Sequence, residues 1–422
     1  MMRYIFLAIL GTTLAICART YAAEKDNATL AGRVTDADGL GVSAQVTVYQ
    51  MMANDGQPYL RPRCIVKSDD EGRYACAGLP EGRFLIRERP VLSGTENKGG
   101  KREMTLPLFY PGVPTLAEAE PVTLISGGSG WAEIRILTLS QVSLSGRLIP
   151  RATDAALTLK TTSDGLSLDT GARIEYDAAT GGFKAKSLPS GHYLLEADWL
   201  VDDAEHRASI PVDLGEDPVK DLNVNPLANV VISGHITNGV GFGAISKLYL
   251  RRIDGMIPVL TATVKGNAFQ FPDVPAGEYL MELRPGSNEF IASLSIDGKE
   301  VEGRRFIVGD EISQTVGVTL CGPAFKIAGS VSPWDTATTA AEVVAISEND
   351  GTVYHSVTDA QGRFLIGGLG PGSYRLFAWA TSGNVPYRNA AVRRKFQKES
   401  TEVSVEEGSG QELVNLSPIA TY

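Results

Sequence analysis

The sequence is poor in histidine, carries no convincing helical rhythm and, after its first residues, has no long apolar run. Four histidines in 422 residues leave few ligands for a zinc peptidase, which needs closely spaced donors on a preorganised scaffold. Neither HExxH nor HxxE occurs. The nearest approach is His192 with Glu196, which share one face of a strand but stand roughly 13 Å apart. The GxSxG elbow of serine hydrolases, the phosphate-binding P-loop and a strand-borne dinucleotide glycine fingerprint are also missing. Acidic turns such as Asp36-Ala37-Asp38-Gly39 lack the distal glutamate of a calcium loop and read as ordinary β-turns. No catalytic residue, metal ligand or cofactor is expected, and no enzyme.

Positive charge is scarce as well, with 39 Lys and Arg against 49 Asp and Glu and a net charge of −10. Such a surface repels nucleic acid and anionic lipid unless a basic patch is concentrated locally. The one candidate, Arg393-Arg394-Lys395, is flanked by Glu399, Glu402, Glu406 and Glu407 and reads as a solvated, charge-balanced loop.

The one apolar run covers residues 4–16, follows Arg3 and precedes Thr20-Tyr21-Ala22. It reads as a signal peptide of residues 1–22, because a run of roughly 13 residues is short of the 20 that a spanning helix needs. Cys17 sits in a poor lipobox behind the bulky Ile16, so lipidation is the minor alternative. The mature chain is expected to be exported, to the periplasm, the outer membrane or the outside, with no transmembrane span.

Glycine (45) and proline (22) are frequent and scattered, which suits many short strands and turns. Four times the chain shows an apolar strand centred on glycine, at Gly32, Gly146, Gly234 and Gly329. A second signature follows each, with fixed spacing between an aromatic, an aliphatic, a glycine and another aromatic. Its copies are Tyr74/Leu79/Gly82/Phe84, Phe183/Leu188/Gly191/Tyr193, Phe269/Val274/Gly277/Tyr279 and Phe364/Leu369/Gly372/Tyr374. Strand, tight turn and strand explain the spacing, with turns such as Asp69-Asp70-Glu71-Gly72 and Asp359-Ala360-Gln361-Gly362. The fold is expected to be all-β, a tandem array of four β-sandwiches of Ig or transthyretin-like type spanning 23–140, 141–228, 229–324 and 325–422. Short linkers suggest a semi-rigid rod.

Gly32-Arg33-Val34-Thr35-Asp36, Asp69-Asp70-Glu71-Gly72-Arg73-Tyr74 and Leu79-Pro80-Glu81-Gly82-Arg83-Phe84 resemble the carboxypeptidase regulatory-like domain. Thr358-Asp359-Ala360-Gln361-Gly362-Arg363-Phe364 repeats the likeness in the last module. The two middle modules keep only the strand and turn skeleton, and the third has Asn267 where the turn glycine is expected. The resemblance implies a transthyretin-like sandwich, grouped with carbohydrate-binding-like folds, and no activity of its own.

Two site expectations follow from position. Cys64 and Cys76 flank the Asp69 to Gly72 turn like cross-strand neighbours and are a disulfide pair if the compartment is oxidising; Cys321 is then left as a buried free thiol. Along Tyr374-Arg375-Leu376-Phe377-Ala378-Trp379, alternation turns Arg375, Phe377 and Trp379 away from the core. They form either a sugar-stacking platform or, if residues 387–396 fold back over them, a satellite core. Two functions remain: a structural or interaction protein of the envelope, with an envelope protein or polysaccharide as partner, or a carbohydrate-binding protein.

Overall fold

A computed structural model describes residues 27–90, 106–136, 140–202, 204–227, 229–238, 247–253, 258–284, 287–309, 313–333, 340–381, 384–407 and 411–419. The signal segment and Cys17 lie outside the described residues. The chain forms tandem β-sandwiches, each with two sheets closed over its own apolar core. In the first, the sheet Arg73–Leu79, Ala28–Thr35, Ser129–Arg135 faces the sheet built on Gln57–Lys67, Ala44–Asn54 and Gly82–Pro90. The opening strand always lies between an antiparallel partner, which carries the second signature, and a parallel closing strand.

This register explains the repeat. Each signature aromatic stands directly opposite a repeat glycine: Tyr74 opposite Gly32, Phe183 opposite Gly146, Phe269 opposite Gly234 and Phe364 opposite Gly329. A Cβ on any of the four would collide with a carbonyl of the closing strand, from Ala132, Leu222, Val316 or Val414, and with the ring. Glycine is therefore needed so that the ring can lie on bare backbone and the parallel strand can close in. The second aromatic is buried in every copy, and in three its hydroxyl donates to a carbonyl four residues earlier: Tyr193 to Pro189, Tyr279 to Pro275 and Tyr374 to Gly370. Phe84 has no hydroxyl; there Gln50 reaches the Glu81 carbonyl from the neighbouring strand instead.

The outer and inner modules cross between sheets differently. In the first and last, the Asp-Gly turn carries the chain from one sheet to the other, from Gln57–Lys67 to Arg73–Leu79 and from Val353–Val357 to Arg363–Leu369. Asp69 and Asp359 accept from the backbone N–H of Arg73 and Arg363 to fix it. In the middle modules the crossing comes earlier, and the signature strand pairs in a hairpin, Ile174–Asp177 with Gly182–Pro189 and Thr263–Lys265 with Ala268–Pro275. The third module does have its turn glycine, one residue before Asn267: Gly266 takes φ +60.

The expected rod is not what forms. Leu85, Phe109 and Leu116 of the first module pack with Leu166 of the second in one buried cluster. The amide of Leu116 donates to Thr161 and the Arg87 guanidinium to the Thr170 carbonyl, both at 2.8 Å. The first module also touches the third and fourth, which bends the array back on itself. Arg393-Arg394-Lys395 is not a loop either. It ends a short helix, Ala390–Lys395, whose first turn is capped by the Asn389 side chain.

Candidate functional site

The place where the modules meet is the most densely charged part of the molecule. It begins with the long hairpin Ala44–Asn54 and Gln57–Lys67, whose tip is the dipeptide Asp55-Gly56. Both tip residues have positive φ, 47° and 70°, the geometry that matches the twist of a two-residue hairpin. Gly56 is required twice over, because a Cβ there would also strike the Tyr387 ring.

The tip delivers the Asp55 carboxylate to side chains from two other modules. Arg251 of the third module lies at 2.8 Å, Arg388 of the fourth at 3.2 Å, and the Tyr387 hydroxyl donates at 3.3 Å. The Arg388 Nε also donates to the Asp55 carbonyl, at 2.7 Å. Glu282 receives the same two arginines, Arg251 at 3.0 Å and Arg388 at 3.5 Å. His355 completes the group, 3.2 Å from Glu342 and 3.7 Å from Asp55. Beside it, Arg304 of the third module binds Asp350 of the fourth at 2.6 Å, with only 11% and 6% of their side chains exposed. Charges this far from water persist because each meets an opposite charge.

Electrostatics follow the geometry. Burial would raise the Asp55 carboxyl, but Arg388, Arg251 and then His355 override it and hold it below the ordinary aspartate value. Burial opposes Asp350 too, and Arg304 nevertheless holds it down to about 2. The hydrogen bond to Glu342 lifts His355 above the ordinary histidine value, against desolvation. A histidine between two carboxylates invites a catalytic reading, yet among the described residues its ring makes no hydrogen bond to a serine, threonine or cysteine. Nor do three histidine, cysteine or acidic side chains gather to hold a metal there. The arrangement can hold modules together and respond to pH.

The residues singled out in the sequence lie elsewhere. Phe377 and Trp379 do face away from the core, but they are 1% and 0% exposed. They stack at 5.1 Å and are covered by Val385, Tyr387, Val392, Phe396 and Ile419. No sugar can reach them, because residues 387–396 fold back as the alternative required; the indole N–H is left without an acceptor among the described residues. Arg375 pairs with Glu348 and Glu402. Cys64 and Cys76 form a disulfide with Cα atoms 6.1 Å apart. It joins the two sheets of the first module rather than neighbours in one ladder, because the intervening turn changes sheet. Cys321 is free and half-buried rather than buried. Among the described residues no helix is long and apolar enough to cross a membrane. Asp55, Arg251, Glu282 and Arg388 went unread in the sequence. The only local signal was Asp-Gly between two alternating strands, which announces a hairpin tip but not its destination.

Comparison with known proteins matches a family model to one part of the chain. Residues 327–413 match the model of polysaccharide lyase family 4, domain II. That is the last module, without its final strand end. No curated protein matches the chain. Solved structures similar to it include the full-length pilus protein RrgB of Streptococcus pneumoniae, 11% identical over 95% of this chain and 99% of that one, with a TM-score of 0.18. A streptococcal ancillary pilin is 10% identical over 66% and 98%, TM-score 0.20. The major pilin BcpA of Bacillus cereus is 10% identical over 93% and 99%, TM-score 0.14. Scores of this size carry neither the shape nor the role of those proteins to this chain.

Proposed function

We propose that this is a non-catalytic, exported structural or interaction protein of the cell envelope, built from modules of carboxypeptidase regulatory-like kinship with limits at 23–140, 141–228, 229–324 and 325–422. The observation that supports it most is the junction itself. Asp55, Arg251, Glu282 and Arg388 are engaged in ion pairs between the protein's own modules, which supports a role in holding modules together. The Cys64–Cys76 bond suits an oxidising compartment outside the cytoplasm, and the leading segment suits export. The lyase family matched by the last module supports a setting among polysaccharide-active proteins, in which a β-sandwich accompanies chemistry done elsewhere.

A carbohydrate-binding reading moves to a different residue. Trp131, on the edge strand Ser129–Arg135, is 59% exposed and lies in a flat row with Ala31 and Ala75. A bare indole over alanines is suited to stacking on a sugar ring. Incubating the mature protein with a panel of envelope and plant-type polysaccharides, and reading both retention and new chain ends, tests both readings. Retention without cleavage, lost in Trp131→Ala, supports carbohydrate binding. Pull-down of envelope proteins with no retention supports the interaction protein, and new chain ends overturn the non-catalytic reading.

A further inference from the structure

The basic segment at the end of the helix Ala390–Lys395 does not balance the glutamates that follow it in sequence. Its Arg393 is half-buried in a groove to which every module contributes, with the exposed Arg394 on the rim. Two adjoining cavities of ≈ 390 and ≈ 410 Å³ share Arg305, Gly351, Ala390 and Arg393. Arg375 and Arg394 line the first; Arg251 and Arg388, with Pro58 and Asp164 from the first two modules, line the second.

The groove's six arginines are accounted for unequally. Arg251 and Arg388 are committed to Asp55 and Glu282, and Arg375 to Glu348 and Glu402. Arg305 gives its Nε to the Asp350 carbonyl at 2.6 Å and comes no nearer than 4.0 Å to a carboxylate, that of Glu278. Arg393 reaches only the carbonyls of Tyr387 and Arg388, at 2.9 and 2.6 Å. No carboxylate lies within ion-pair distance of Arg393 or Arg394 among the described residues. The acids on the walls are Glu348, bonded to Arg375, Asp350, bonded to Arg304, and Asp164, exposed on the rim. Burial first, and then Arg305, Arg388 and Arg394, press the Arg393 guanidinium towards its neutral form. Gly351 keeps the groove open, since a Cβ there would meet the Arg305 guanidinium.

Like charges held together in a chain with ten more acidic than basic residues cost free energy that a bound anion would recover. Guanidinium groups bind carboxylate and phosphate oxygens through paired N–H donors. We propose that this groove binds an oxyanionic ligand, a carboxylate or phosphate group, through Arg305, Arg393 and Arg394. The inference does not depend on the non-catalytic reading above.

Titration calorimetry of the mature protein tests it, with sodium pyrophosphate and a trigalacturonate as probes at fixed ionic strength, and maltotriose as the neutral control. One of the two anions binds at one site per chain, more weakly as salt is raised, and maltotriose does not. Binding of pyrophosphate alone assigns the site to phosphate; binding of trigalacturonate alone assigns it to sugar acids. The Arg305→Gln/Arg394→Gln double variant loses affinity by about tenfold or more. It spares the Arg393 contacts that hold the chain entering the helix, so it folds as the parent does, and circular dichroism checks this. Absence of binding by either anion, or undiminished binding in the folded double variant, overturns the proposal. Cleavage of the trigalacturonate would overturn the non-catalytic reading and leave the groove standing.

Discussion

The first module meets its neighbours in two ways that share almost no chemistry. Against the second it presents leucines and a phenylalanine, with Arg87 lying 5.4 Å above the Phe109 ring. Against the third and fourth it presents a hairpin tip, where the Asp55 carboxylate and two backbone carbonyls bind and Gly56 packs against the Tyr387 ring. An apolar seam draws on area removed from water and is not weakened by charge screening. An ionic junction owes its strength to pairing and weakens when either sign is lost. The two contacts should therefore come apart under different conditions.

The largest effect is expected from Phe109→Ala, which removes a ring 1% exposed and should cost about 3 to 5 kcal/mol. Denaturant unfolding gives the magnitude. Hydrogen exchange should show Leu166 and Thr170 losing protection across the seam while amides around Arg388 keep theirs; protection unchanged at Leu166 would mean the seam does not depend on this ring.

Next comes alkalinity. Glu88 is fully buried beside the seam, with one oxygen accepting from the Leu108 amide, and burial lifts it to about 8, with that hydrogen bond and Arg87 opposing. A raised carboxyl is neutral in the folded chain, so its contribution is complete below the unfolded value and is lost as pH rises towards 8. Stability should fall by about 1.4 kcal/mol per pH unit across that window, and Glu88→Gln should flatten the slope. A parent chain equally stable at pH 6 and pH 8 would contradict this assignment.

The junction answers to acid and salt instead. Asp55→Asn strands Arg251 and Arg388 with Glu282 alone. It should cost about 1 to 3 kcal/mol, less than a fully buried pair because Asp55 keeps 39% of its side chain in water. Its lowered carboxyl contributes above the unfolded value and is lost as pH falls through the folded one. Proteolysis should then nick the hairpin tip in acid or high salt in the parent, and at neutral pH in the variant. Equal resistance in both would show that the tip is held by something else.

The smallest effect is expected at His355. Its raised value means that its contribution is present below the unfolded pKa and is lost as pH rises through the folded one. His355→Gln should thus cost less than about 1 kcal/mol on the acid side of neutrality and nothing in alkali, a difference that paired thermal melts can resolve.

What the sequence could convey divides along similar lines. Gly32, Tyr74, Leu79 and Gly82 recur at fixed spacing because neighbouring strands impose it, so the four cores were readable. The reason for the spacing, a ring lying on glycine one strand away, needed the register. Strand alternation put Phe377 and Trp379 on the correct face yet could not say what covers that face, since the cover comes from Val385 and Tyr387, from Val392 in a helix too short to show periodicity, and from Phe396 just after it. Arg393 looked balanced by glutamates because they are near in sequence; in space its neighbours are arginines. Asp55 and Arg388 are 333 residues apart, and no local pattern joins them.

That separation also sets an order of events. As the chain leaves the ribosome, the hairpin with Asp55 at its tip is complete while the residues it will grip have not yet emerged. Arg251 and Glu282 can pair as soon as their own module folds, and only the arrival of Arg388 closes the ring. Loop-closure entropy grows slowly with length, so the long separation costs little stability, but the contact must wait for Arg388. Until then the molecule is a string of finished beads, and the fourth module is the latch.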